Sequence, residues 1–383
     1  MEGYKIKGFS VRSFLRKVGG IMGVIFSIFL ICILILVGVL LAWSPGKPAP
    51  IVDENGNPLA GSISEKIWIN INGVEQGMFI KSKDINNPVL LFLHGGPGMP
   101  EYFLTERYPT GLEDYFTVCW WEQRGSGLSY SGDIPPETMT VEQLVSDTLE
   151  VTNYLRDRFH KEKIYLMGHS GGSFFGIQAA ARAPELYHAY IGMAQMTYQL
   201  QSEKLAYEYM LQQYKENGNH KMAKRLEAAP PTMTVPLPAA YDSLRDPAMH
   251  GLGIGTTQDM KSVITGVFFP SWQNREYTLS EKVNIWRGKI FSMRSLRNTM
   301  FATDLTQQVT ALELPVYFFH GRYDYTCSYT LAKDYSEKLE APVKGFYTFE
   351  QSAHSPIFEE PEKIRKIFQE DVLAGTNSLA DIH

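Results

Sequence analysis

The chain is poor in cysteine, with three in 383 residues. Cys32, Cys119 and Cys327 show neither paired nor metal-ligand spacing. A disulfide framework is therefore not expected, and neither is a thiolate metal site. Basic character is also lacking. The net charge is −5, the pI is near 6.0, and no long basic run occurs beyond the N-terminus, so a nucleic-acid partner is not expected. Internal repeats and low-complexity tracts are absent. Hydrophobic residues make up 44% and charged residues 20%, which suits a large packed core and excludes global disorder. The length fits two domains, or one domain carrying an insertion.

One stretch lacks charge altogether. Residues 21–43, IMGVIFSIFLICILILVGVLLAW, hold Ser27 as their clearly polar side chain. As a helix the run would be about 34 Å long, enough for a hydrocarbon core of about 30 Å. A cleaved signal peptide is the rival reading, but its apolar region is shorter and ends in a small-x-small site, which LLAWSPG does not supply. An uncleaved transmembrane anchor is expected. Lys5, Lys7, Arg12, Arg16 and Lys17 precede it against Glu2. That bias places residues 1–20 in the cytoplasm as a basic tail, and everything after residue 43 outside the cell. Residues 44–64, rich in Pro, Gly and Asn, read as a linker.

The folded part alternates strands and helices. KIWINING and GMFIKS flank a turn at Asn72-Gly73 and predict a hairpin. PVLLFLHGG and FTVCWWEQRG are nearly continuous apolar runs, as in strands buried on both faces. A helix should follow from Thr140, with Thr140 and Gln143 as a capping box and Val141, Leu144, Val145 and Leu149 as its apolar stripe. KIYLMGHS is the next strand, followed directly by a helix from GGSFFG, and AYIGMAQ is a further strand. Residues 196–312 then show no buried strand. Their helical faces (Tyr207, Met210, Leu211 and Tyr214) and recurrent aromatics predict a helical cap. Alternation resumes at LPVYFFHGRYD and continues through KGFYTFE to a helix with Ile364, Ile367 and Phe368. The pattern predicts an α/β core over residues 65–195 and 313–383, with a mainly parallel sheet, interrupted by the cap.

Gly168-His169-Ser170-Gly171-Gly172 fits G-x-S-x-G between a strand and a helix. A sharp turn there crowds the backbone, demands small neighbours and holds the serine hydroxyl clear of the sheet. The hydroxyl needs a base. In this chain order the base follows the last core strand and its acid partner follows the strand before. Among nine histidines, His354 in FEQSAHSP meets that condition, and Asp324 in HGRYDYTC meets its counterpart. Glu350 and Asp334 are acidic neighbours outside the expected loop. Ser170 is thus the expected nucleophile, His354 the base and Asp324 its orienting acid. The N–H groups of Gly171 and of Gly96, in HGGPG, are the expected oxyanion donors. His94 is expected to brace its loop and His169 to point away, while His188 and His320 have no supporting context. Ser126, also between glycines, lacks a following helix, and Arg124 beside it should tie loops together. GLGIG at 251–255 lacks the strand of a dinucleotide loop.

HGGPG, WEQRGSGLS, GHSGGS and HGRYDYTC, in this order, resemble the α/β-hydrolase superfamily, and within it the prolyl iminopeptidase-like group. The resemblance covers residues 65–195 and 313–372. It implies a cofactor-free and metal-free serine hydrolase that works through an acyl-enzyme on a small peptide or other small molecule. The chain departs from the group at Gly171, where a bulky aromatic is usual, and at Glu122, where Asp is frequent. Glu203 and Glu208 are not matched to the cap glutamates that hold a substrate's amino group in that group. Peptidase and esterase or amidase specificities therefore both remain open.

Overall fold

The computed structural model describes residues 11–381. Glu2, Lys5 and Lys7 of the expected basic tail, and the last two residues of the expected core, lie outside the described residues. Helix α1, Val11–Ala42, is the one helix among the described residues long and apolar enough to cross a membrane. It starts earlier than the apolar run, through Arg12 and Arg16. Its 32 residues span about 48 Å, beyond the thickness of a hydrocarbon core.

The segment read as a linker, residues 44–64, makes its first contacts on the cap. Ser44 is buried. Pro45 pairs with Thr278 in an isolated bridge. Gly46 N–H donates to the Arg275 carbonyl at 3.1 Å, and Ala49 N–H to Glu276 Oε1 at 2.8 Å. Val52 and Pro58 bridge across a turn of the same segment. The Pro, Gly and Asn content shapes these turns, and the backbone groups find partners on the cap more than two hundred residues away.

Eight strands form one sheet: β1 Ile63–Ile71, β2 Val74–Ser82, β3 Val89–Leu93, β4 Thr117–Trp121, β5 Ile164–His169, β6 Tyr187–Met193, β7 Val316–Gly321 and β8 Lys344–Phe349. Their order is β1-β2-β4-β3-β5-β6-β7-β8. The first two pairings along this order are antiparallel and the rest parallel. The hairpin turns at Asn72 (φ 47°) and Gly73 (φ 79°), a left-handed pair that matches strand twist. Strands β3, β4 and β7 are buried at every position, as their unbroken apolar runs require.

Helix α2, Val141–Phe159, buries Leu144 and Val145, with Val141 and Leu149 partly buried beside them. Thr140 caps it by accepting from Gln143 N–H. The Gln143 side chain does not complete a reciprocal box: its amide donates to Asp147 Oδ1 at 2.7 Å, and the Thr140 N–H that its oxygen would accept from donates to the Thr138 carbonyl at 3.0 Å instead. Helix α3, Gly171–Arg182, follows β5 directly. Between β6 and β7 lie helices α4 Gln199–Glu216, α5 His220–Glu227, α6 Ala239–Leu252, α7 Phe269–Gln273, α8 Leu279–Ala302 and α9 Leu305–Gln308, with a π-helical turn at Ile264–Phe268. Met210, Tyr214, Leu226 and Tyr241 centre a separate apolar cluster in this cap. Helices α10 Tyr329–Lys338, α11 Pro356–Glu359 and α12 Pro361–Ile367 follow β7, with a π-helical turn at Phe368–Val372 after α12.

Candidate active site

The loops after β3, β5, β7 and β8 lie at the C-terminal ends of parallel strands, at one edge of the sheet, where open α/β sheets carry their sites. Ser170 follows β5 with φ 52° and ψ −120°, a conformation that a non-glycine residue adopts only under constraint. The surroundings supply the constraint. A Cβ on Gly172 would stand 2.1 Å from the Leu93 carbonyl oxygen, and one on Gly168 would stand 2.6 Å from Ser173 Cα. Only glycine fits at both, so the strand can turn into the helix within one residue. Ser170 N–H donates to the Met193 carbonyl at 2.9 Å. Ser173 donates to the Ser170 carbonyl at 2.6 Å and is wholly buried, a structural serine.

His354 Nδ1 lies 2.9 Å from Asp324 Oδ2. Asp324 also accepts from the backbone N–H of Thr326 at 2.8 Å and of Cys327 at 3.0 Å. His320 Nε2 comes within 3.2 Å of Asp324 Oδ2 and bonds the Cys327 carbonyl at 2.7 Å. Burial alone would raise the Asp324 carboxyl, but the neighbouring imidazoles and their hydrogen bonds reverse this and hold it well below the usual carboxylate range. Burial lowers the His354 pKa, and this outweighs the attraction of Asp324. A neutral imidazole that donates Nδ1–H to Asp324 keeps Nε2 as an acceptor.

The HGGPG loop abuts the serine: a Cβ on Gly95 would be 3.0 Å from Ser170 Cβ. A Cβ on Gly171 would be 3.3 Å from the N, C and O of Gly96. The two expected oxyanion donors are thus neighbours, and among the described residues neither N–H donates to a protein acceptor. His94 braces this loop as expected. It accepts from Gln123 N–H at 3.1 Å, and its carbonyl accepts from the Gln123 amide at 2.9 Å.

Two residues that sequence reasoning missed join the loops. His169, expected to be peripheral, bonds Glu101 Oε2 at 2.7 Å through Nδ1 and the His354 carbonyl at 2.8 Å through Nε2. Both partners are acceptors, so the ring carries both protons. Burial lowers the His169 pKa, but the Glu101 charge and these bonds outweigh it and raise the pKa above its ordinary value. Burial would raise the Glu101 carboxyl, yet His169 and the Gly95 N–H (2.7 Å to Oε1) bring it below its ordinary value. This buried ion pair links the glycine loop, the serine turn and the histidine loop. GLGIG also serves the site: His354 N–H donates to the Gly255 carbonyl at 3.2 Å.

A cavity of about 390 Å³ opens over Ser170, His354, His169 and Gly96. Met99, Leu104, Met249, Val263, Val267 and Phe358 give it apolar walls. Cys327 lines it within hydrogen-bonding reach of the Ser170 hydroxyl, and burial pushes its thiol pKa well up, so it is a protonated thiol and a poor nucleophile. The cap contributes carboxylates that are already paired. Asp242 takes both Arg297 Nη atoms at 2.6 Å, and Asp246 takes Arg245 Nη1 at 2.9 Å. Glu203 is fully buried and accepts from Gln199, Tyr241 and Arg245. Glu208 is exposed beside Lys204. Glu350 is held on the surface by Arg322, and Asp334 is exposed. Arg124 ties loops as expected, bonding buried Asp147 at 2.6 Å and the carbonyls of Ile71 and Asn72. Among the described residues no His, Cys, Asp and Glu cluster could hold a metal.

The mainly parallel sheet, the strained serine turn and the cap over it define an α/β-hydrolase fold. The chain belongs to the serine aminopeptidase family S33, whose family model matches residues 112–361. It is 33% identical over 306 residues to the probable aminopeptidase YbaC of Bacillus subtilis (strain 168), covering 79% of this chain and 95% of that one. A proline iminopeptidase of Mycobacterium smegmatis shares the fold with a TM-score of 0.57 at 16% identity, over 81% of this chain and 98% of the other. A proline iminopeptidase-related protein of Thermus thermophilus gives 0.52 at 23% identity, over 82% and 98%.

Proposed function

We propose that this α/β hydrolase is a membrane-anchored serine hydrolase acting on small peptides, with residues 21–43 as the anchor, the N-terminus in the cytoplasm and the catalytic domain outside. Ser170 attacks the scissile carbonyl carbon, and its proton passes to His354 Nε2. Asp324 holds the imidazole through Nδ1–H. The N–H groups of Gly96 and Gly171 stabilise the oxyanion, each worth about 3 kcal/mol in the transition state. His354 then gives the proton to the leaving amine, and water, activated by the same base, releases the acyl group from Ser170. The observation that carries this reading is the 2.9 Å bond between His354 and a carboxylate, in the cavity that holds the strained Ser170. The aminopeptidase relative supports the peptide substrate.

A second reading, a carboxylesterase or amidase, has its own support. The carboxylates Glu101, Asp242 and Asp246 lining the cavity are each paired with a cation of the protein, so none is an uncompensated charge set to receive a substrate ammonium. A panel of proline-terminated peptide amides and short-chain esters separates the two readings. Turnover confined to the amides of free-amino peptides supports the peptidase; turnover confined to esters supports the second reading. Turnover of either kind that survives Ser170→Ala sinks both.

A further inference from the structure

Helix α1 and the cap meet at their ends. Lys282 Nζ, in the first turn of α8, donates to the Trp43 carbonyl at 3.2 Å and to the Ser44 hydroxyl at 2.9 Å. It also bonds the Trp272 carbonyl at 2.8 Å, which fixes α7 to the same point. Pro45 and Gly46 pair with Thr278 and Arg275. No slack separates the anchor from the cap, so a bilayer that holds α1 must lie beside α7 and the start of α8.

The cap surface there is apolar. Ile264 is 60% exposed, Phe269 48% and Ile290 53%. Val283, Trp286 and Ile290 follow one another at helical spacing along one stripe of α8. Phe268 packs on Trp286 (5.1 Å between ring centroids) and on Trp272 (5.9 Å), joining that stripe to α7. From Lys261 to Arg297 the exposed charges of the cap are four cations, Lys261, Arg275, Arg287 and Arg294, while Glu276 and Glu281 are partly buried and paired with Lys81 and Lys66. Apolar and aromatic side chains set among cations suit the interface of an anionic bilayer. The reverse side of this layer is a wall of the catalytic cavity, lined by Val263, Val267, Lys289 and Met293. One helical layer therefore lies between the cavity and the apolar face.

We infer that this cap face is seated in the bilayer interface beside the anchor, and that the cavity draws its substrate from the membrane: an amphiphile whose acyl chain is held in ester or amide linkage. The inference rests on the anchored serine hydrolase proposed above, in its carboxylesterase or amidase reading. The bond from Ser170 Oγ to the acyl carbon forms as the bond to the leaving oxygen or nitrogen breaks. The serine proton leaves on that atom through His354, and water then frees the acid.

The test uses the full chain in vesicles of brominated phosphatidylcholine and phosphatidylglycerol. A bimane label is placed on native Cys32 or, in a Cys32→Ser background with Cys119 and Cys327 buried, on Ile264→Cys, Phe269→Cys or the control Glu185→Cys before β6. Quenching at 32, 264 and 269 but not at 185 is expected. Quenching at 32 without quenching at 264 and 269 overturns the seating of the cap and leaves the anchor standing; absence of quenching at 32 overturns both. In the same vesicles Phe269→Asp is expected to slow hydrolysis of a long-chain acyl ester about tenfold, with a water-soluble short-chain ester unaffected. Equal rates of Phe269→Asp and the parent on the vesicle-borne ester overturn the substrate class. Failure of a fluorophosphonate to label the quenched sample overturns the hydrolase reading alone.

Discussion

Replacing His169 by Gln removes a cation that touches both Glu101 and the His354 loop. The imidazolium donates two protons, to Glu101 Oε2 at 2.7 Å and to the His354 carbonyl at 2.8 Å. A glutamine amide at that position serves one of them with a neutral donor. A lost hydrogen bond from a charged group is worth about 1.5–3 kcal/mol. Stranding the buried Glu101 carboxylate costs about 3–5 kcal/mol of stability. If the first quantity is the restraint on the His354 loop, kcat/KM falls by about 10- to 100-fold, at roughly 1.4 kcal/mol per factor of ten, with KM little changed. The pH profile separates this from simple damage. His354 must be neutral, and its pKa lies below 6.5, so activity rises as pH rises through that lowered value. His169 must be charged, and its pKa lies above 6.5, so activity falls as pH rises through the raised value. The same signs govern stability. The contribution of His169 is fully present below 6.5 and is lost as pH rises through its raised pKa. That of Glu101 is present above 4.5 and is lost as pH falls through its lowered pKa. In His169→Gln the alkaline limb disappears. The acid limb moves to higher pH, because the charge of His169 is among the causes that lower His354. Steady-state hydrolysis of a chromogenic ester across pH, with thermal unfolding on the same samples, provides the readout. A variant that keeps the parent's alkaline limb would refute the clamp.

Three further outcomes follow from the geometry. Asp324→Asn should lower kcat by about 10⁴-fold with KM nearly unchanged, since the amide favours the wrong imidazole tautomer; a loss under about tenfold in steady-state kinetics would contradict the role of Asp324. Gly172→Ala should destabilise the fold by about 3 kcal/mol or more in denaturant unfolding, because its Cβ would sit 2.1 Å from the Leu93 carbonyl oxygen. Glu122 is fully enclosed beside Tyr277 and the Leu128 N–H, and burial pushes its carboxyl up to about 8. Its contribution to stability is therefore present below 4.5 and declines as pH rises towards about 8, so Glu122→Gln should flatten the fall in melting temperature between pH 4.5 and about 8.

The sheet and the serine turn were legible because each depends on local constraints. Continuous apolar runs mark β3 and β4, and Gly168 and Gly172 can be read as necessary from the turn alone. Chain order at strand ends singled out Asp324 and His354 as candidates, and the structure brings them within 2.9 Å of each other. The Glu101–His169 pair was not legible. Glu101 lies in an irregular stretch after HGGPG, and its partner is 68 positions away, so no periodicity connects them. His320 likewise shows its relation to Asp324 only once the turn after β7 is folded. Residues 44–64 have the composition of a tether, and composition does not register the cap residues that accept their backbone bonds. Glu203 carries no sequence signal for its partners, and folding encloses it among Gln199, Tyr241 and Arg245.

Ser170 as the nucleophile is the claim on which the rest depends. The direct measurement is to react the full chain with a fluorophosphonate, digest it and locate the adduct by mass spectrometry. A single adduct on Ser170, absent from Ser170→Ala and from protein unfolded before labelling, is the predicted result. An adduct on Ser126, Ser173 or Cys327, or labelling of Ser170→Ala at the parent's rate, would contradict the account.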